Sequence, residues 1–312
     1  MEYIMWQLLA GILWTGVGLL ASQYMPPSTP QRLGRFLYWV GVPLQVFTLA
    51  HRSHFSVMPW MPILIVGIIL LLGWVIASLC IIAIQRSAFM PKRTLARRSS
   101  QGSFILSAML GNTMFIGMAI APSLVNPRYL GWIVIFGMVH YLMGSYGLGV
   151  ALATHFGRSN SHNTWGSKLV HLVKVPTLWA FGLGCWAHSL EFWPWIDGLL
   201  SLSLKVGVPT VFLLFGMQLA RIQGFKSLKV SLFPALIKAL LIPVLVGIGL
   251  TLLRLPQDAQ FAMVLMTGMP TNSANLILAE EYHLDSQLSA GSILISTLAL
   301  PFTIPLWMTL FQ

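Results

Sequence analysis

The chain has 312 residues, 56% of them hydrophobic and only 8% charged, with a mean hydropathy of +0.79. Soluble domains carry about 25% charged residues, so a soluble enzyme or binding domain is excluded. The 18 Lys and Arg against 7 Asp and Glu give a formal charge of +11, which in another setting would suggest nucleic acid. Membrane proteins concentrate Lys and Arg in cytoplasmic loops, so that explanation takes precedence and no nucleic-acid partner is implied.

Apolar runs near the ~20-residue length of a bilayer span recur along the whole chain, which predicts an all-α polytopic membrane protein with the lipid bilayer as its surroundings. The runs are long and lack period-two alternation, which favours helix over strand. Ten spans are expected, at residues 4–21, 36–50, 62–84, 102–122, 129–152, 172–190, 198–220, 230–253, 259–281 and 287–310. The first is led by Glu2 rather than a basic residue, and Ile4–Ser22 is long enough to span, so it reads as a membrane helix and not a cleaved signal peptide. Span 2 is short and is closed by His51 and Arg52. Cys80 and Cys185 lie apart inside apolar runs and act as small hydrophobic residues.

Basic residues set the orientation. Arg32 and Arg35 follow span 1, Arg86, Lys92, Arg93, Arg97 and Arg98 follow span 3, Arg158 and Lys168 follow span 5, and Arg221, Lys226 and Lys229 follow span 7. The opposite side holds only Arg52, Arg128 and Arg254. The positive-inside bias then puts both termini outside a cell membrane, with residues 153–171 as a cytoplasmic linker. Lys174 sits near a span end and can snorkel. Lys205 and Lys238 fall deeper, about 12 Å into their spans at 1.5 Å per residue. All seven acidic residues sit at span ends or in loops, so neither deep lysine has an obvious carboxylate partner. Either lysine can snorkel or meet carbonyls, or give an anion site its positive charge.

The chain also repeats itself. Val40-Gly41-Val42-Pro43 recurs as Val206-Gly207-Val208-Pro209, and a shift near 160 brings Asn112-Thr113 onto Asn272-Ser273. Five spans match in order, giving residues 1–152 and 172–312 as two five-helix repeats. Five is odd, so the second repeat must cross the membrane inverted. Inverted repeats with interrupted helices in matching positions point to a secondary transporter with its site near the midplane.

Both interruptions are visible. Span 9 breaks at Gly268-Met269-Pro270, because proline lacks an N–H and clashes one turn back. Thr271, Asn272, Ser273 and Asn275 follow. If the helix resumes at once, Asn272 and Asn275 share one face, as do Thr271 and Asn275. In span 4 the matching step is Gly111-Asn112-Thr113. Amides and hydroxyls suit a carboxylate that must be held and released, and half-helix N-termini add free N–H donors. Polar residues of these types also join neighbouring helices in membranes, the commoner role for a lone Asn. Catalytic signatures are lacking: there is no HExxH, no GxSxG, no phosphate-cradling glycine loop and no deep carboxylate pair.

The run from Met269-Pro270 to Ala279-Glu280-Glu281-Tyr282, together with Ser296-Thr297-Leu298 and Pro301, resembles the auxin efflux carrier family. That family includes plant PIN carriers and bacterial relatives described as malate or malonate permeases. Asn112-Thr113 with Gly117, Lys174-Val175-Pro176, Gly216, and Lys238 ahead of Pro243 fit the same pattern. The resemblance implies a scaffold of spans 1, 2, 6 and 7, a moving domain of spans 3–5 and 8–10, and a crossing of broken helices 4 and 9. It also implies an anion beside the crossing, with Asn112 on its carboxylate and Pro270 at the start of the second break, and it allows a homodimer. Two positions depart from the plant pattern, where prolines replace Ala119 and Asn275. The link after span 5 is short, as in bacterial relatives.

The expected function is transport of a small organic anion by alternating access, with no cofactor. The expected site is Asn112, Thr113, Pro270, Thr271, Asn272 and Asn275, supported by Lys238. A proton, through His140 or the substrate, or a sodium ion could couple it. The other reading is a membrane ligand sensor or regulatory subunit that reuses the fold without transport.

Overall fold

A computed structural model describes residues 2–26, 28–53, 55, 58–86, 95–157, 174–220 and 228–312. Among them the regular structure is helical, and no strand forms beyond one isolated bridge. Six helices are long and apolar enough to cross a membrane: α2 (Thr29–Arg52), α3 (Trp60–Arg86), α6 (Pro127–Phe156), α8 (Pro194–Leu219), α9 (Leu228–Leu252) and α12 (Ser286–Phe311). The protein is a membrane-embedded helical protein. The other elements are α1 (Glu2–Tyr24), α4 (Arg98–Met109), α5 (Thr113–Leu124), α7 (Pro176–Trp186), α10 (Gln257–Thr267) and α11 (Ala274–Glu281).

Two boundaries differ from the sequence reading. Span 2 begins at Thr29 rather than 36, because Pro30 in the first turn fits a helix start and Arg32 and Arg35 lie exposed along the helix. The span expected at 172–190 shortens to the 11-residue α7, which starts at Pro176 and closes in a 3-10 turn over Ala187–Ser189. Most of the linker expected at 153–171 lies outside the described residues, as do Lys92, Arg93, Arg158, Lys168, Arg221 and Lys226.

The described residues form two packed units that interleave along the chain. The first contains α1, α2, α7 and α8, with residues 114–138 of α5 and α6. Here α1 and α8 approach backbone to backbone. A Cβ on Gly18 would overlap the Leu213 carbonyl oxygen, and one on Gly216 would overlap that of Thr15. Without a hydrophobic drive between helices in lipid, close contact through small residues is what holds such a pair. Gly184 of α7 likewise faces the Phe47 carbonyl of α2, which a Cβ would meet at 2.7 Å. Gly207, inside the repeated Val-Gly-Val-Pro, makes room for the buried Gln45 amide. The end of α2 is tied down by Arg52, which pairs with Asp197 at 2.7 Å and donates to Ser201 Oγ at 2.8 Å.

The second unit contains α3, α4, the later part of α6 and α9 to α12. Gly73 of α3 lies directly on α4, its Cβ position 2.9 Å from Met109 Cα. Ser231 of α9 donates to the Leu288 carbonyl of α12 at 3.0 Å, and Gly291 leaves space for that hydroxyl. At the centre, every residue of α10 from Ala259 to Thr267 is buried. A helix covered on every side needs no amphipathic pattern, and its buried Gln260 is met by Thr251 Oγ1 and the Leu255 carbonyl. Within α9 a five-residue π turn, Ile237–Leu241, precedes Pro243, and α2 repeats this with Leu37–Gly41 before Pro43. In each the widened turn closes one residue before the proline, with Ile242 N donating to the Ile237 carbonyl and Val42 N to the Leu37 carbonyl.

Gly216→Val is expected to force α1 from α8 and cost ~1–3 kcal/mol, seen as a lower unfolding midpoint in detergent. Gly198→Ala, where the Cβ meets open space, should leave the midpoint unchanged or slightly raised.

Candidate functional site

α4 ends at Met109 and Leu110 turns extended, while α10 ends at Thr267 and helix does not resume until Ala274. Each break frees backbone groups that lipid cannot satisfy. They satisfy one another. Asn112 N donates to the Pro270 carbonyl at 2.7 Å, and Asn272 N donates to the Leu110 carbonyl at 3.0 Å. Gly111 and Thr271 face each other across this antiparallel pair. Both donors and both acceptors are related by the same shift of 160 positions. Pro270 serves as an acceptor alone, the one role a proline keeps.

The side chains then stitch the breaks to the half-helix ends. Thr271 Oγ1 donates to the Ser107 carbonyl at 2.9 Å, and Asn275 Nδ2 donates to the Leu106 carbonyl at 3.0 Å. Both acceptors belong to the last turn of α4; the Leu106 carbonyl already takes Leu110 N at 2.9 Å, and Asn275 adds a second bond to it. Thr271 N donates to Ser296 Oγ at 3.0 Å, and Asn272 Nδ2 to Ser145 Oγ at 3.2 Å. Thr113 Oγ1 lies 3.4 Å from His140 Nδ1, and Gly111 N donates to His140 Nε2 at 3.5 Å.

Lys238 reaches this place from the π turn of α9. Its side chain is 0% exposed, and Nζ donates to the Thr267 carbonyl, the end of α10, at 2.7 Å. A Cβ on Gly111 would stand 2.6 Å from Lys238 Cε and 2.9 Å from Nζ, so only glycine fits beside the lysine. The one ion pair among the described residues is Arg52 with Asp197, so Lys238 has no carboxylate among them. Lys205, the other deep lysine of the sequence, is exposed on α8 in the first unit and does not belong to this cluster.

All seven expected residues, Asn112, Thr113, Lys238, Pro270, Thr271, Asn272 and Asn275, therefore lie in one unit and are buried. One expectation is corrected. Asn272 and Asn275 do not share a helical face, because α11 starts only at Ala274. The main-chain pairing holds Thr271 and Asn272 out of helix, and Asn272 Oδ1 accepts from Ala274 N at 3.1 Å to turn the chain into α11. Sequence reasoning did not find Ser107, Ser145 and Trp307. Ser107 enters through its carbonyl, which no side-chain pattern reveals, and Ser145 lies in a different span. Asn275 Oδ1, Thr267 Oγ1 and Trp307 Nε1 are buried without a hydrogen-bond partner among the described residues. Trp307 Nε1 stands 2.8 Å from the Cβ position of Gly268. With the spare hydrogens of Lys238, the end of α10 offers donors to a small polar or anionic group.

Compared with models of known protein families and with curated proteins, the chain matches none.

Thr271→Val removes the bond to the Ser107 carbonyl and should cost ~0.6–1.7 kcal/mol by unfolding in detergent. Ser107→Ala, which deletes a hydroxyl without a partner among the described residues, should be nearly neutral by the same measurement.

Proposed function

We propose that the protein is a secondary transporter for a small organic anion, a mono- or dicarboxylate, working by alternating access. The observation that carries this reading is the hydrogen-bonded pair of helix breaks, buried in a membrane protein beside a lysine with no carboxylate among the described residues. Non-helical backbone at membrane depth is tolerated where it is buried in protein or lines a cavity, and carriers place substrate at such breaks.

The equal 160-residue shift of both main-chain bonds supports two inverted five-helix repeats with crossing helices. The grouping of α1, α2, α7 and α8 into one unit agrees with a scaffold of spans 1, 2, 6 and 7, while residues 114–138 of spans 4 and 5 fall in that unit as well. The same features agree with an auxin-efflux-carrier type of protein. In this reading Asn112 and Thr113 on one break and Thr271, Asn272 and Asn275 on the other present neutral donors. Pro270 fixes the break and Lys238 supplies the positive charge. Several of these donors hold backbone carbonyls, so substrate binding exchanges those bonds for bonds to the anion.

Purified protein in proteoliposomes should take up members of a carboxylate panel. Losing two hydrogen bonds to a charged group at ~1.5–3 kcal/mol each, Asn112→Ala/Asn275→Ala should weaken uptake affinity on the order of 100-fold or more. Equal uptake by the double variant and wild type would reject the site; no flux of any carboxylate would reject the transporter.

A further inference from the structure

We infer that the Lys238 ammonium is a tethered stand-in for an inorganic cation at the break, so that the protein needs no sodium to complete this site. The inference deepens the carrier reading and rests on it where transport is concerned.

The end of a helix carries about half a negative charge on carbonyls without helical partners. At membrane depth this is where unwound backbone coordinates a metal cation in carriers that use one. α10 ends in such a place, buried along its whole length from Ala259. Its terminal Thr267 carbonyl is taken by Lys238 Nζ at 2.7 Å. The Met269 carbonyl oxygen lies close by, 3.2 Å from the Gly111 Cβ position that Nζ approaches to 2.9 Å. Thr267 Oγ1, on the same residue, is buried without a partner among the described residues and takes no bond from the ammonium. Carbonyl and hydroxyl oxygens suit a hard monovalent cation, and the ammonium holds the first of them, the Thr267 carbonyl.

A second cation would be opposed twice. Lys238 packs against Gly111 with no gap a methyl group could fill, so an ion would have to displace the head group. Like charges about 4 Å apart at an effective dielectric of 20 lower affinity on the order of a thousandfold. The carboxylates of this unit offer no relief: Glu280 and Glu281 are exposed, Asp258 is half-buried, and Asp285 accepts from Leu288 N and Ser100 Oγ at the start of α12. The other half-helix end is treated differently. The Leu106 and Ser107 carbonyls of α4 receive the neutral donors of Asn275 and Thr271. One end is capped by charge and its counterpart by dipoles, leaving a single fixed positive charge for an anion to balance.

The test is thermal unfolding of detergent-purified protein in sodium, potassium and choline chloride at equal ionic strength. Wild type and Lys238→Arg should unfold at one temperature in all three salts. Lys238→Ala should fall on the order of 5 °C in choline, and sodium should recover part of that loss saturably by entering the vacated oxygens. A saturable sodium stabilisation of wild type would overturn the inference, as would Lys238→Ala unfolding alike in sodium and choline. If Lys238→Ala does not fold, the sodium titrations of wild type and Lys238→Arg decide alone. The readout needs no transport. Absence of carboxylate flux would sink the carrier reading and leave this result standing.

Discussion

Two main-chain hydrogen bonds, Asn112 N to Pro270 and Asn272 N to Leu110, are what the second unit depends on. A broken helix inside a membrane exposes peptide groups that water cannot reach, and each unsatisfied group costs several kcal/mol. One break alone would be untenable there. Two breaks laid antiparallel solve each other's problem, and the bonds are short enough, at 2.7 and 3.0 Å, to count fully. The polar side chains follow from this need. Thr271, Asn275 and Lys238 all reach carbonyls of half-helix ends, so the polarity of the site begins as structural necessity. A binding function, if built on these groups, borrows donors that the fold already had to supply.

This constraint also explains which residues are small. Gly111 must leave room for Lys238, and Gly73 must let α3 lie on the end of α4. In the first unit Gly18 and Gly216 let α1 and α8 touch, and Gly207 leaves room for the Gln45 amide. Both units use glycine for close packing and for making room beside a polar side chain, Gln45 in the first and Lys238 in the second.

Much of this was legible in the sequence, and for physical reasons. Pro270 and Gly111 announce breaks because proline forbids a helical bond and glycine weakens helix. Lys238 was legible as a deep charge because its depth follows from counting residues. The restart of α11 at Ala274 was not legible, since it depends on pairing with Leu110, far away in the chain. Nor was the difference between Lys205 and Lys238, equally deep in sequence, because only packing decides which one is covered. The early start of α2 was hidden by Arg32 and Arg35, which mark a loop by charge yet stand on the exposed face of a helix. The interleaving of the two units depends on contacts between distant spans, which hydropathy does not record.

The contact between α1 and α8 has a consequence for the surrounding bilayer. With backbones touching through Gly18 and Gly216, no acyl chain can come between them, so lipid meets the pair as one thick rod. α8 has 26 residues, about 39 Å at 1.5 Å each, against a hydrocarbon thickness near 30 Å. The excess reaches into the headgroup layers, where Asp197 lies in the first turn, or is taken up by tilt, and neither helix can lean without the other. Membrane thickness therefore acts on both helices at once, as a load on a single beam.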